Sequence, residues 1–189
     1  MSGTGSLSTS TFSLPALSLV IGGARSGKSR MAEALVTLSG RPRTYIATAQ
    51  AFDDEMVTRI DQHRNDRGQD WNTIEAPMHL GPALADVPAD GVVLLDCATL
   101  WLTNHLLAET DLRQETAHLL ADLAACPAPV VVVTNEVGLS IVPENRLARR
   151  FRDEQGRLNQ HLAAQAGLVI AVMAGLPFAL KGQLPQGLV

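Results

Sequence analysis

Five short apolar runs punctuate the chain, at Leu17–Ile21, Thr44–Ala47, Val92–Leu95, Val130–Val133 and Leu168–Met173. None alternates apolar with polar positions, which is the pattern of strands covered on both faces. Helical periodicity fills the intervals. Met31, Leu35 and Leu38 recur at i, i+4 and i+7 before Ser39-Gly40 ends the turn, and Met56 and Ile60 open a second stripe behind Asp53 and Asp54. Further helical segments are predicted around 102–107, 112–125 and 145–166, the last capped at its carboxyl end by Gly167. This alternation predicts an α/β fold: a doubly wound, mostly parallel sheet in a single domain, with ligands at the carboxyl ends of the strands.

Length allows one compact domain, expected over residues 16–189. Residues 1–15 are expected to form a flexible extension, because Ser, Thr and Gly dominate them and neither a basic start nor a signal-peptide cleavage site is present. From Leu162 to Leu180 no residue is charged, yet Gln165, Gly167, Gly175 and Pro177 interrupt the stretch, so no membrane span is predicted. Cys97 and Cys126 lie outside any metal-ligand or CxxC spacing, and a reducing cytoplasm is the expected compartment. A net charge of −4 argues against a nucleic-acid partner.

Only two lysines occur, Lys28 and Lys181, and the first stands in Gly22-Gly23-Ala24-Arg25-Ser26-Gly27-Lys28-Ser29. This matches G-x4-G-K-[ST] between the first strand and first helix, where the pattern has mechanical meaning. Glycines let backbone N–H groups converge on phosphate oxygens, Lys28 reaches the outer phosphates, and the Ser29 hydroxyl is placed to hold Mg²⁺. A nucleoside triphosphate, GTP or ATP, is the expected occupant. Asp96, ending the third apolar run, reads either as a second carboxylate reaching Mg²⁺ or as the cap of the next helix.

His63 follows Met56 and Ile60 at i+7 and i+3, with Arg59 one turn before it and Arg67 one turn after. An imidazole among guanidinium groups is biased to its neutral form, able to attack phosphorus while the arginines hold phosphate oxygens. The plainer reading is a partly buried histidine bonded to a carbonyl, with the arginines paired to Asp61 or Asp66. Glu75 likewise either faces solvent or accepts hydrogen bonds from a guanine. After Val130–Val133, Ile141 and Val142 sit in a polar loop, as a substrate wall or as packing onto the sheet. In the helix that follows, Arg149 with Asp153 and Arg150 with Glu154 are expected as solvated i,i+4 pairs, leaving Arg146 as the better-placed ligand contact.

The glycine loop, Tyr45-Ile-Ala-Thr, Asp53-Asp-Glu-Met, Arg59 to Arg67, Trp71-x-Thr-x-Glu75, and Val133-Thr-Asn-Glu-Val-Gly through Pro143-Glu-Asn-Arg-Leu-x-Arg together resemble the bifunctional adenosylcobinamide kinase/adenosylcobinamide-phosphate guanylyltransferase family. The resemblance runs from about Leu17 to Lys181. It implies that adenosylcobinamide is phosphorylated by a nucleoside triphosphate, and that GMP from GTP is then carried on a histidine to the new phosphate. By motif, the guanylylated histidine falls on His63, with Gln62 before it where some members carry a second histidine. Nucleotide contacts fall on Gly22 to Ser29, on Ala47, Thr48 and Ala49, on Arg64, Asn65, Asp66 and Arg67, and on Glu75 and Asp96. A homo-oligomer, a trimer, is also implied. Two other readings of the residues stay open: a kinase of another small alcohol with no covalent intermediate, and a GTP-binding regulator without transfer chemistry. The second is weakened because no Asn-Lys-x-Asp segment is present for guanine.

Overall fold

The computed structural model describes residues 13–50 and 70–188. The helix expected behind Asp53, with His63 and the arginines around it, lies outside the described residues, as do residues 1–12 of the expected extension. In chain order the elements are β1 (Leu17–Gly22), α1 (Lys28–Leu38), β2 (Arg43–Ala47), β3 (Trp71–Glu75), α2 (Gly81–Ala85), β4 (Val92–Asp96), α3 (Ala98–Leu107), α4 (Leu112–Ala125), β5 (Val130–Asn135), α5 (Arg146–Gln165), β6 (Leu168–Met173) and β7 (Leu176–Lys181).

The seven strands form one sheet in the order β3-β2-β4-β5-β1-β6-β7. Every pairing is parallel except β6 with β7, which runs antiparallel. The absence of alternation in the apolar runs has a direct cause. Val93 and Leu95 of β4 pack into a core with Trp101, Leu102 and Leu158, while Val92 and Leu94 pack into a second core with Leu35, Val36 and Ile170. Both faces of the strand are dry, so both sets of positions must be apolar.

Helix ends follow the local chemistry. Asp111 Oδ1 accepts from the N–H groups of Arg113 (3.0 Å) and Gln114 (3.2 Å), and Asn145 Oδ1 accepts from those of Leu147 (2.7 Å) and Ala148 (3.3 Å), which sets the starts of α4 and α5. Gly40, at φ +66° just past α1, stops that helix in the left-handed region.

Two expectations need correction. Gly167 is not a left-handed cap: α5 ends on Ala166 in an extended conformation. Gly167 is instead small for contact, since a Cβ there would stand 2.8 Å from Pro15 Cβ. The i,i+4 ion pairs of α5 do not form. Glu154 pairs with Arg157 (2.6 Å) and Asp153 with Arg152 (3.0 Å), while the Arg149 guanidinium donates to the carbonyls of Pro143 and Glu144 and pins the loop ahead of the helix. The apolar runs do not point to the strand after β6, β7, which returns on the Ala174-Gly175 turn at φ +52° and +80°.

His105 is buried at the end of α3, with Nδ1 3.0 Å from Thr110 Oγ1 and Nε2 3.3 Å from the Met78 carbonyl. Burial holds its pKa below the ordinary 6.5. The unfolded chain therefore binds this proton more readily than the folded one, and stability present above pH 6.5 is withdrawn as pH falls below it. In acid titrations of the unfolding midpoint, His105→Gln is expected to flatten the fall between pH 7 and 5. An unchanged slope would assign the acid sensitivity to other groups.

Candidate functional site

Because the strands are parallel, their carboxyl ends share one edge. Register sets the row: Glu75 stands opposite Ala47, Ala47 opposite Asp96, and Asp96 opposite Val133. Two residues further along β5, Asn135 stands opposite Gly22, the first residue of the glycine loop, and Gly22 opposite Val172. Neighbouring strands are about 4.8 Å apart, so side chains far apart in sequence line a single crevice.

The loop is shaped by two close approaches. A Cβ at Gly22 would stand 2.5 Å from Ser26 Oγ and 2.5 Å from the Val172 carbonyl oxygen, so only glycine lets the loop fold back over the end of β1. Gly27, at φ +94°, precedes α1 in the left-handed region, and a Cβ there would press within 3.2 Å of Gly175 Cα. The β6–β7 turn supports the loop from behind, with Gly175 N–H donating to the Ser26 carbonyl at 2.9 Å. Lys28 Nζ reaches back to the Gly23 carbonyl (3.3 Å) across the loop's concavity. Gly23, Ala24 and Arg25 are exposed along its rim. This is a nest of backbone donors at a helix N-terminus, with a lysine beside it, and it suits polyphosphate.

Residues after the other strands are held by buried side chains. The Thr48 hydroxyl donates to the Cys97 carbonyl and accepts from its N–H, both at 2.8 Å, which ties the end of β2 to the β4–α3 turn. Asn104 Nδ2 donates to the carbonyls of Thr48 and Pro77, each at 2.8 Å. The side chain of Thr48 thus faces the protein, leaving Ala47 and Ala49 beside it on the edge. Glu75 is exposed at the end of β3, and Asp96 is half-buried at the end of β4. Burial pushes the Cys97 thiol up to about 12; the Asp96 carboxylate adds to this and the Lys28 ammonium partly offsets it. Cys97 is therefore a protonated wall residue and not a nucleophile.

Ser29, on the first turn of α1, and Asp96, at the end of β4, are the residues that could hold a cation here. No group of three or more His, Cys, Asp or Glu suited to a metal occurs among the described residues. Ser26 Oγ is buried without a hydrogen-bond partner, packed against Gly22 beneath the loop.

Of the residues expected from sequence, the fold brings together Gly22 to Ser29, Ala47 to Ala49, Glu75 and Asp96. His63, Arg64, Asn65, Asp66 and Arg67 lie outside the described residues. Arg146 is exposed at the start of α5, and Leu139, Ile141 and Val142 project into solvent instead of packing onto the sheet. The supporting roles of Thr99, Asn104 and Gly175 had no sequence signal, because each depends on a neighbour distant in the chain.

Fold and loop together define a nucleotide-binding α/β protein of the P-loop type. A protein of Pyrococcus horikoshii OT3 shares the fold at TM-score 0.56 and 9% identity, covering 93% of this chain and 91% of that one. Residues 18–180 match the family described as cobinamide kinase / cobinamide phosphate guanyltransferase. The bifunctional adenosylcobalamin biosynthesis protein CobU of Salmonella typhimurium LT2 is 48% identical, over 86% of this chain and 98% of its own length. CobU of Escherichia coli K12 is 47% identical with the same coverage, and CobP of Pseudomonas aeruginosa PAO1 is 46% identical over 87% and 97%. The chain belongs to the cobinamide kinase / cobinamide phosphate guanyltransferase family, and it is a bifunctional transferase of that kind.

Gly22→Ala tests the cradle. With a carbonyl oxygen in the path of the new methyl, the loop must open, at about 1–3 kcal/mol. The expected result is a lower melting temperature and at least tenfold weaker nucleotide binding by calorimetry. Wild-type affinity in this variant would show that the loop's tight closure is not what binds phosphate.

Proposed function

We propose that this chain carries out both family reactions at the strand-end edge. Adenosylcobinamide is phosphorylated on its aminopropanol hydroxyl by GTP or ATP, and GMP from a second GTP is then passed through His63 to the new phosphate, yielding adenosylcobinamide-GDP. The observation that supports this reading is the shared edge itself: the glycine loop with Lys28 and Ser29 follows β1, and Glu75 and Asp96 end β3 and β4 on the same side of the sheet.

In the kinase reaction the substrate oxygen bonds to the terminal phosphorus, the bridging P–O bond breaks, and its electron pair stays on the nucleoside diphosphate. The loop amides and Lys28 neutralise charge on the phosphates and align the terminal group, the contributions phosphoryl transfer most requires. Ser29 and Asp96 would hold Mg²⁺, which would supply further charge neutralisation. In the second reaction a neutral imidazole nitrogen of His63 attacks the α-phosphorus and pyrophosphate leaves; the resulting phosphoramidate is then attacked by a phosphate oxygen of the acceptor, restoring the histidine. Arg64 and Arg67 hold the phosphate oxygens during this transfer.

The other histidines support the choice of His63. His105 is buried with both nitrogens next to partners, and His79 and His118 line a separate cleft with Glu115 and Asp122. His161 borders a groove between α4 and α5. Further parts of the reading are a cytoplasmic location and a homotrimer.

Incubation with GTP labelled in the α-phosphate tests the covalent step. Acid-labile, alkali-stable label is expected on the protein and is expected to vanish in His63→Ala. Cobinamide phosphorylation without any protein-bound label would leave a kinase alone, and label retained by His63→Ala would move the nucleophile elsewhere.

A further inference from the structure

The segment from Glu136 to Asn145 joins β5 to α5 and stays at the carboxyl edge throughout. It leaves the sheet beside the glycine loop, where the Glu136 N–H donates to the Gly22 carbonyl at 3.1 Å. It ends where α5 begins at Arg146. Because α5 carries the chain back to the start of the parallel strand β6, its first residue stands at the carboxyl ends of the strands. The whole segment therefore lies on the side of the sheet that carries the phosphate loop.

Its backbone is tied at both ends. Glu136 Oε1 accepts from the Gly138 N–H, and Ser140 Oγ donates to the Val137 carbonyl at 3.2 Å. The Arg149 guanidinium holds the carbonyls of Pro143 and Glu144, and Asn145 caps the helix that follows. Three large apolar side chains nevertheless face water between these ties: Leu139 is 86% exposed, Ile141 93% and Val142 61%. Neither the sheet nor a helix covers them, and they gain free energy only when another body does.

Charge narrows what that body is. The segment holds two carboxylates, Glu136 and Glu144, and no basic side chain. A second copy of this chain, at a net charge of −4, is repelled by such a surface. The acceptor of the kinase reaction is not. Adenosylcobinamide is a broad corrin macrocycle fringed with methyl groups and neutral amides, and its cobalt leaves it with a net positive charge. Its reacting hydroxyl hangs from the ring on a short aminopropanol arm, so when that hydroxyl meets the terminal phosphate the ring must rest close to the glycine loop.

We propose that Leu139, Ile141 and Val142 form the wall on which the corrin ring of cobinamide rests, with Glu136 and Glu144 attracting its positive charge. These residues bind and orient the acceptor and take no part in the exchange of bonds. The proposal rests on the reading that cobinamide is phosphorylated at the glycine loop.

Steady-state phosphorylation of cobinamide by the full chain tests it, alongside calorimetry with guanosine β,γ-imidotriphosphate and sedimentation. The double variant Leu139→Ser/Ile141→Ser is expected to raise KM for cobinamide about tenfold or more, as loss of covered apolar surface does. Its kcat and its affinity for the imidotriphosphate are expected to stay within about twofold, the pattern of lost uniform binding. Ile141→Leu, which keeps the apolar surface, is expected to retain the unaltered KM, and the melting temperature and sedimentation coefficient are expected to be unchanged in both. An unchanged KM in the double variant, or an equal weakening of the nucleotide, would overturn the assignment. So would a loss of activity that accompanies a changed sedimentation coefficient, which would give the surface to another copy of the chain. Failure of the unaltered protein to phosphorylate cobinamide would instead overturn the reading on which the proposal stands.

Discussion

The backbone approach at Gly22 governs the rest of the site. Its missing side chain lets Ser26 Oγ and the Val172 carbonyl come to within 2.5 Å of where a Cβ would be, so the loop closes over the end of β1 with the Ser26 side chain packed against it. Only then does α1 start at Lys28 with its N-terminus over the crevice, and only then can the Gly175 N–H bind the Ser26 carbonyl from the far side. The antiparallel β7 serves this arrangement. A parallel seventh strand would need a long crossover, whereas the hairpin places a tight turn directly behind the phosphate loop.

A second layer of polar contacts keeps the other strand ends in place. Thr48 to Cys97, Asn104 to Thr48 and Pro77, and Thr99 to Asn135 are buried side-chain bonds to backbone, each joining a segment after one strand to an element after another. Each contributes only about 0.5–1.5 kcal/mol net, but leaving any partner unmatched would cost the full desolvation of a buried group. Their effect is therefore on geometry more than on stability. Loops that would otherwise sample many conformations are fixed to within a hydrogen-bond length of helices packed on the sheet.

Much of this was legible before any coordinates. The five apolar runs matched five central or near-central strands because two-sided burial leaves a plain signature, as Val92 to Leu95 illustrate with one pair in each core. The glycine loop was legible because its function constrains backbone, and backbone constraints show as glycines at set spacing. By contrast, β7 is an edge strand whose Leu176, Phe178 and Leu180 are exposed and whose Pro177 reads as a break, so neither burial nor propensity marked it. The α5 ion pairs failed for a different reason. Spacing permits i,i+4 pairing, but the Arg149 guanidinium has carbonyl partners in the preceding loop that the helical pattern does not contain. Contacts set by three-dimensional neighbours, as at Thr99 or Gly167, leave no local trace.

The chemistry also depends on what the edge holds inactive. Cys97 immediately follows Asp96 and feels the Lys28 ammonium, and in a polar, cation-rich setting such a thiol would ionise and compete for phosphorus. Burial prevents this by raising its pKa to about 12, and its backbone is meanwhile the anchor for Thr48. A phosphoryl-transfer crevice can thus carry a sulfur in its wall without a covalent side reaction, provided that the β4–α3 turn stays closed. The same closure that sets Asp96 at the end of β4 keeps the thiol dry, so the position of the carboxylate and the silence of the cysteine follow from one packing arrangement.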